Sequence, residues 1–267
     1  MTDLPSQAAA VTVERRGHLL MIGLNRPHQR NAMNRAMLFE LAAAYGLLEH
    51  DDELWCGVLF AHGEHFTAGL DLMDIGPALL SGNGASYPEG SRDPWRLDGT
   101  WTKPIVAVAQ GWAMTLAVEL LLAADIRIAA ADVRFAQYEV RRGMFPFGGA
   151  TFRFPEQAGW ANAMRWILTG DEFGAAEALR IGLVQEVLPT AAAALERAVE
   201  IATTIAEKAS PLGVRGTLAS AHHARAEGQA AAAANLRTEV ARILATADGA
   251  EGINSFLERR AARFTGR

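Results

Sequence analysis

Twenty consecutive residues, Ile105 to Ala124, are mostly apolar, and the pair Gln110-Gly111 divides them into a β-rich half and a helical half. A run of that length could cross a membrane, but Gln110, Gly111 and Glu119 interrupt it. A buried strand followed by a buried helix accounts for it better. A second junction of the same kind lies upstream. The apolar run Trp55 to Ala61 leads through Gly63 and His65-Phe66-Thr67-Ala68-Gly69-Leu70-Asp71-Leu72 into a helical pattern. Two strand-to-helix junctions can direct two backbone N–H groups at one point, which is an oxyanion hole. Glu119 stands beside one of them as a lone carboxylate among apolar residues. Burying it is costly unless it is paired or kept for chemistry.

Along the chain, Val11–Arg15 and His18–Leu24 read as a hairpin turning at Arg16-Gly17. Asn34 is a candidate N-cap for a helix to about Glu49. Ser81 to Gly99, rich in Gly, Ser, Pro and Asp, reads as a long mobile loop. Strands are expected at Pro104–Gln110, Ile126–Ala130 and Val184–Leu188, with helical patterns near Asn162–Leu168 and Gly174–Ile181. From Ala191 the pattern is helical, broken at Pro211 and near Gly228. Mixed strands and helices to about residue 190, then helices alone, define an α/β chain. This pattern fits a spiral of ββα turns and a doubly wound sheet equally.

Half of the 267 residues are hydrophobic and about a fifth are charged, enough for a large core. The net charge of −5, with lysine only at 103 and 208, argues against nucleic acid and against an anionic membrane surface. A single cysteine, Cys56, excludes an internal disulfide and reads as a small buried hydrophobe. Met1 to Ala10 lacks the marks of a signal or transit peptide, so a cytoplasmic protein is expected. His62 and His65 flank a turn with no further ligand cluster, and no metal site is expected.

These motifs resemble the crotonase (enoyl-CoA hydratase/isomerase) superfamily from about Val11 to the C-terminus. The resemblance implies a crotonase-type spiral of ββα units with a helical C-terminal region. Residues 1–190 would form the core with the coenzyme A and catalytic site, and 191–267 a helical trimerisation region. Phe66-Thr67-Ala68-Gly69-Leu70-Asp71 matches Phe-x-Ala-Gly-x-Asp, which assigns one oxyanion donor to Ala68. Leu116, three residues before Glu119, takes the other, with a helix dipole behind it. Thr115-Leu116-Ala117 stands where relatives often carry three glycines. A backbone donor survives that change, but the acyl pocket loses room.

Phe135-Ala136-Gln137-Tyr138-Glu139 resembles Phe-x-x-Pro-Glu and places Glu139 as the second catalytic glutamate. For Glu139 an ion pair with Arg141 or Arg142 is the alternative, and for Glu119 a structural ion pair. Gly143 to Thr151 resembles the family's Gly-x-x-Pro-Gly-x-Gly-Gly-Thr loop. Phe145 and Phe147 there either narrow the pocket or fill the core. For coenzyme A, the resemblance implies the loop Arg26 to Met33, with Arg26 or Arg30 reaching phosphates and Ala32 in the adenine-contacting backbone. Asp71 and Leu72 would flank the pantetheine channel. Phe256 and Arg259, within Phe256-Leu257-Glu258-Arg259-Arg260, would serve a neighbouring subunit's coenzyme A, or else form a solvated charged face. Trp95-Arg96 either forms part of an acyl-pocket lid or anchors its loop.

The implied activity is hydration of a trans-2-enoyl-CoA by a homotrimer or hexamer, without metal or redox cofactor, coenzyme A being part of the substrate. An isomerase or thioester hydrolase on the same fold, or a non-catalytic CoA-binding trimer, are the alternatives.

Overall fold

The computed structural model describes residues 9–81 and 86–267. Residues 1–8, most of the Met1 to Ala10 segment, and positions 82–85 of the long loop lie outside them.

The hairpin forms as expected. Strands β1 (Val11–Arg16) and β2 (Leu19–Leu24) pair antiparallel, with Gly17 at φ 58 in the turn. Helix α1 (Arg35–His50) begins at Asn34, whose side chain accepts from the Met37 N–H at 3.0 Å. Strands β3 (Cys56–Ala61), β4 (Ile105–Ala109), β6 (Ile126–Ala130) and β9 (Glu186–Leu188) add in parallel, giving one six-stranded sheet of order β1-β2-β3-β4-β6-β9. Strands buried on both faces read as continuous apolar runs, which is how β3 and β4 read, while β6 is broken by the buried Arg127.

A second, three-stranded sheet is not apparent in the sequence. It comprises β5 (Trp112–Met114), β7 (Arg134–Ala136) and β8 (Phe173–Gly174). Strands of two or three residues are too short for alternation to declare itself. The chain passes from β4 to β5 at Gly111, φ 50, where a Cβ would lie 2.2 Å from the Glu64 carbonyl oxygen. Thr67 extends this layer through a parallel bridge to Ala113. The turns that β3, β4 and β6 open therefore run through the large sheet, then the small layer, then a helix. These are the expected ββα units, with α2 (Leu72–Leu80) and α3 (Leu116–Ala123) closing the first two turns.

After the 3-10 turn Tyr138–Arg142 come α4 (Ala150–Ala158), α5 (Trp160–Thr169) and α6 (Ala175–Arg180). The C-terminal region is four helices: α7 (Ala191–Lys208), α8 (Pro211–Glu227), α9 (Gln229–Leu244) and α10 (Ala247–Leu257). Helix α7 buries Ala194, Ala198, Ala202 and Ala206, one residue per turn, against Val58, Val106, Val108 and Ile128 of the large sheet. The other face of that sheet is covered by α1 and α3 in a larger core. No helix among the described residues is long and apolar enough to cross a membrane.

The described part of the long loop is anchored, which corrects its reading as mobile. Trp95 and Trp101 are buried, and the Arg92 N–H donates to the Ala42 carbonyl at 3.0 Å. Gly46 admits the loop backbone, since a Cβ there would lie 2.1 Å from the Gly90 oxygen. Composition marked this segment as irregular, but the buried Trp95 within it and Trp101 just beyond it hold it in place.

Candidate active site

The two junctions lie side by side because the small sheet laces them together. Thr67 N–H donates to the Trp112 carbonyl at 2.9 Å, and Met114 N–H donates to the Thr67 carbonyl at 3.0 Å. Asn31, fully buried, fixes the outer loop by donating to the His62 and His65 carbonyls at 2.9 and 2.8 Å. Its own carbonyl accepts from the Thr67 hydroxyl at 2.7 Å. The sequence offers no cue to Asn31 beyond its place in a polar loop.

Between the junctions lies a cavity of about 190 Å³ lined by Ala68, Leu70, Leu72, Thr115, Leu116, Glu119, Tyr138, Glu139, Arg142, Met144 and Phe147. Of the expected site residues it gathers both glutamates, both assigned donor residues, Leu72 and Phe147. Thr115 and Leu116 are also in its wall, where the expected loss of acyl-pocket room would be felt. Phe145 is 65% exposed and outside that wall.

One donor assignment is corrected. The Ala68 N–H donates to the Arg30 carbonyl at 2.9 Å and is not available to a ligand. Two residues on, Leu70 forms a parallel bridge to Met33, but the bridge uses the Gly69 carbonyl and the Asp71 N–H. The Leu70 N–H therefore has no acceptor among the described residues. Leu116 is the first residue of α3, so its N–H has no acceptor within the helix. Leu70 and Leu116 supply one free donor from each junction at the cavity. The motif alone cannot separate Ala68 from Leu70, because the choice depends on which N–H the neighbouring loop takes.

Glu119 is buried in the first turn of α3, where the helix dipole favours negative charge. Its Oε1 accepts from the Gly148 and Ala150 N–H groups at 2.7 and 3.0 Å. Gly148 permits this approach, since a Cβ there would lie 2.7 Å from Oε2. Burial pushes the carboxyl up to about 7, against the lowering effect of those backbone donors and of Arg153. Glu139, also buried, rises to about 7, first through desolvation and further through the charge of Glu119. Neither forms an ion pair among the described residues. Arg141 turns away to Asp171 and to the Thr169 carbonyl.

Gln137 was not singled out by its position in the sequence. It is fully buried, and the amide orientation that satisfies its neighbours sets its nitrogen 2.9 and 3.0 Å from the Glu139 carboxylate oxygens and 3.2 Å from the Thr115 carbonyl oxygen. Trp95 also belongs to this frame. Its indole N–H donates to the Leu116 carbonyl at 3.2 Å, so the tryptophan anchors the donor segment.

The expected coenzyme A residues divide. Arg26 pairs with Asp71 at 3.2 Å and also donates to the Ala32 carbonyl and to Gln29. These contacts hold its guanidinium inside the loop rather than free for phosphate. Arg30 is exposed, with its guanidinium carbon 4.5 Å from the centre of the Trp112 ring. Phe256 is 81% exposed, and neither it nor Arg259 reaches the cavity of its own chain.

The ββα spiral thus brings two buried carboxylates and two free backbone donors to one cavity. Residues 14–267 match the family described as Enoyl-CoA hydratase/isomerase. The chain is 33% identical over 261 residues to the enoyl-CoA hydratase EchA19 of Mycobacterium tuberculosis, with 96% of each covered. It is 30% identical to the 2,3-dehydroadipyl-CoA hydratase of Escherichia coli, covering 96% of this chain and 98% of that one. Its structure superposes on that of a probable enoyl-CoA hydratase/isomerase from Mycobacterium abscessus with a TM-score of 0.93 and 47% identity, covering 97% of this chain and 99% of that one. The chain belongs to the enoyl-CoA hydratase/isomerase family, in the crotonase superfamily, and is an enzyme of that type.

Proposed function

We propose that the protein adds water across the double bond of a trans-2-enoyl-CoA to give the 3-hydroxyacyl-CoA. The observation that carries this reading is the pair of buried glutamates, both raised to about 7, on the wall that also holds Leu70 and Leu116. Attack of water at the β carbon moves charge through the α carbon onto the thioester oxygen. The Leu70 and Leu116 N–H groups stabilise that enolate, and loss of one such donor typically costs about 3–4 kcal/mol.

Glu119 and Glu139 hold the attacking water between them. Two neighbouring carboxyls share their titration, so near neutrality the pair holds about one proton, leaving one base and one acid. The base takes a proton from water and the acid delivers one to the α carbon. Water and protons suffice for this reaction, so it calls for no metal or redox cofactor. Bulk from Thr115, Leu116 and Phe147 shapes the acyl end. In a homotrimer or hexamer the exposed Phe256 and Arg259 would serve a neighbouring subunit's coenzyme A.

The test is loss of the conjugated enoyl-thioester absorbance across a chain-length series. Glu119→Gln and Glu139→Gln should each lower turnover by ~100-fold or more, the scale of a lost acid or base. Activity surviving in Glu139→Gln would favour a one-glutamate isomerase, and a silent wild type on every chain would sink the hydratase reading.

A further inference from the structure

Behind the catalytic loop, and sharing no lining residue with the catalytic cavity, lies a second cavity of about 480 Å³. Its walls come from the loop before β4, the end of α3, the start of β6, α4 and α8. Four arginines line it, Arg96, Arg127, Arg153 and Arg225, together with His222 and a single carboxylate, Asp125. Asp125 is taken by Arg96 at 3.1 Å, and Arg225 pairs with Glu156.

The other two arginines are each 6% exposed and bind only carbonyls. Arg127 donates to Leu183, Ala124 and Gly182, and Arg153 to Gly148 and Arg96. Arg96, with a side chain only 6% exposed, also keeps its Nε–H without an acceptor. Gln157 in the same wall donates to the Leu122 carbonyl at 3.1 Å, and its Oε1 has no donor.

Guanidinium groups are kept out of water at a cost, and like charges gathered around one space add to it. That crowding is felt here. Arg153 and His222 are both held below their ordinary values, first by desolvation and then by neighbouring arginines. An anion in the cavity would relieve the crowding, and planar guanidinium forks suit the edges of a tetrahedral oxyanion. The unpaired Gln157 oxygen asks for a donor as well, which a hydrogen phosphate or a phosphate monoester carries on its hydroxyl.

We propose that the cavity bounded by Arg96, Arg127, Arg153, His222 and Arg225 binds a phosphate group, either free or carried on a small molecule. The site stands one residue from the catalytic machinery. Arg153 holds the Gly148 carbonyl, and the Gly148 N–H holds Glu119.

Isothermal titration of the full-length protein with inorganic phosphate, against chloride at matched ionic strength, tests the proposal. Glycerol 3-phosphate as a second titrant separates the two sources, since the tighter of the two identifies which one the cavity suits. One phosphate per chain is expected. Arg225→Gln, on a side chain 43% exposed and safe for folding, should weaken it by about tenfold, the scale of one charge-assisted hydrogen bond. His222→Ala should weaken it in the same direction, with both variants melting as the wild type does. No heat above chloride with either titrant would overturn the site. Binding unchanged in both variants would overturn it too, by showing an adventitious ion only.

Discussion

Thr115 carries φ 54 and ψ −115, a conformation that a β-branched residue adopts only under strain. Its hydroxyl lies where a Cβ on Gly69 would be, at 2.0 Å, and Gly69 itself has φ 94. The two junctions thus fit through one contact. Gly69→Ala should destabilise by more than the ~1–3 kcal/mol of backbone strain alone. Thr115→Gly should relieve its own strain and recover part of that loss in the double variant, as read by a denaturant double-mutant cycle.

Glu119 makes a second prediction at this scale. Its folded-state value of about 7 stands above the ordinary 4.5, so the folded protein binds that proton more tightly than the unfolded chain does. Stability is then lost as pH rises from 4.5 through 7, and the cost is complete above 7. Glu119→Gln should leave the melting temperature little changed at pH 4.5 and raise it at pH 8, by up to about 3 kcal/mol in stability. A variant that melts lower at both pH values would show that the charge is not held at a cost. The buried carboxylate was legible in the sequence because it broke an apolar helix. Gln137 was not, because nothing about a glutamine two residues before a glutamate shows that it will turn inward.

At the scale of elements, α7 shows why a small-residue stripe matters. Alanines one turn apart let the helix backbone approach β3, β4 and β6 closely. Ala198→Leu should overpack this contact and cost about 1–3 kcal/mol, measured by thermal or denaturant unfolding. The long, periodic elements α1, β3, β4 and β6 were readable to within a residue or two, because hydrophobic period and capping act locally. The small sheet was not. Its strands are two or three residues long and exist only because the spiral stacks them. The break between α9 and α10 was also missed, since Thr246 caps α10 by accepting from the Gly249 N–H without a glycine or proline at the junction itself.

For the whole molecule, the C-terminal helices leave Leu236, Val240, Leu244, Ile253, Phe256 and Leu257 half or more exposed. Apolar surface left uncovered to this extent suits a subunit contact, and on the proposed homotrimer or hexamer light scattering after size exclusion should give a multiple of three subunits. With Phe256 and Arg259 outside their own cavity, Phe256→Ala and Arg259→Gln should raise KM by about tenfold with little change in kcat, the pattern of a lost binding contact. A fall in kcat at unchanged KM would place them elsewhere in the reaction.

The α/β class, the order of the long elements and Glu119 follow from local periodicity or from a polar residue in an apolar run, whereas the spiral and Glu139 came from the resemblance to the crotonase superfamily. Which N–H groups remain free at the cavity, Leu70 in place of Ala68, was decided only when the Arg30 carbonyl came to rest against the loop. The same is true of the inward Gln137 and of the four arginines gathered around one cavity. Each depends on segments far apart in sequence meeting at hydrogen-bond distance, and no local pattern records where such segments meet.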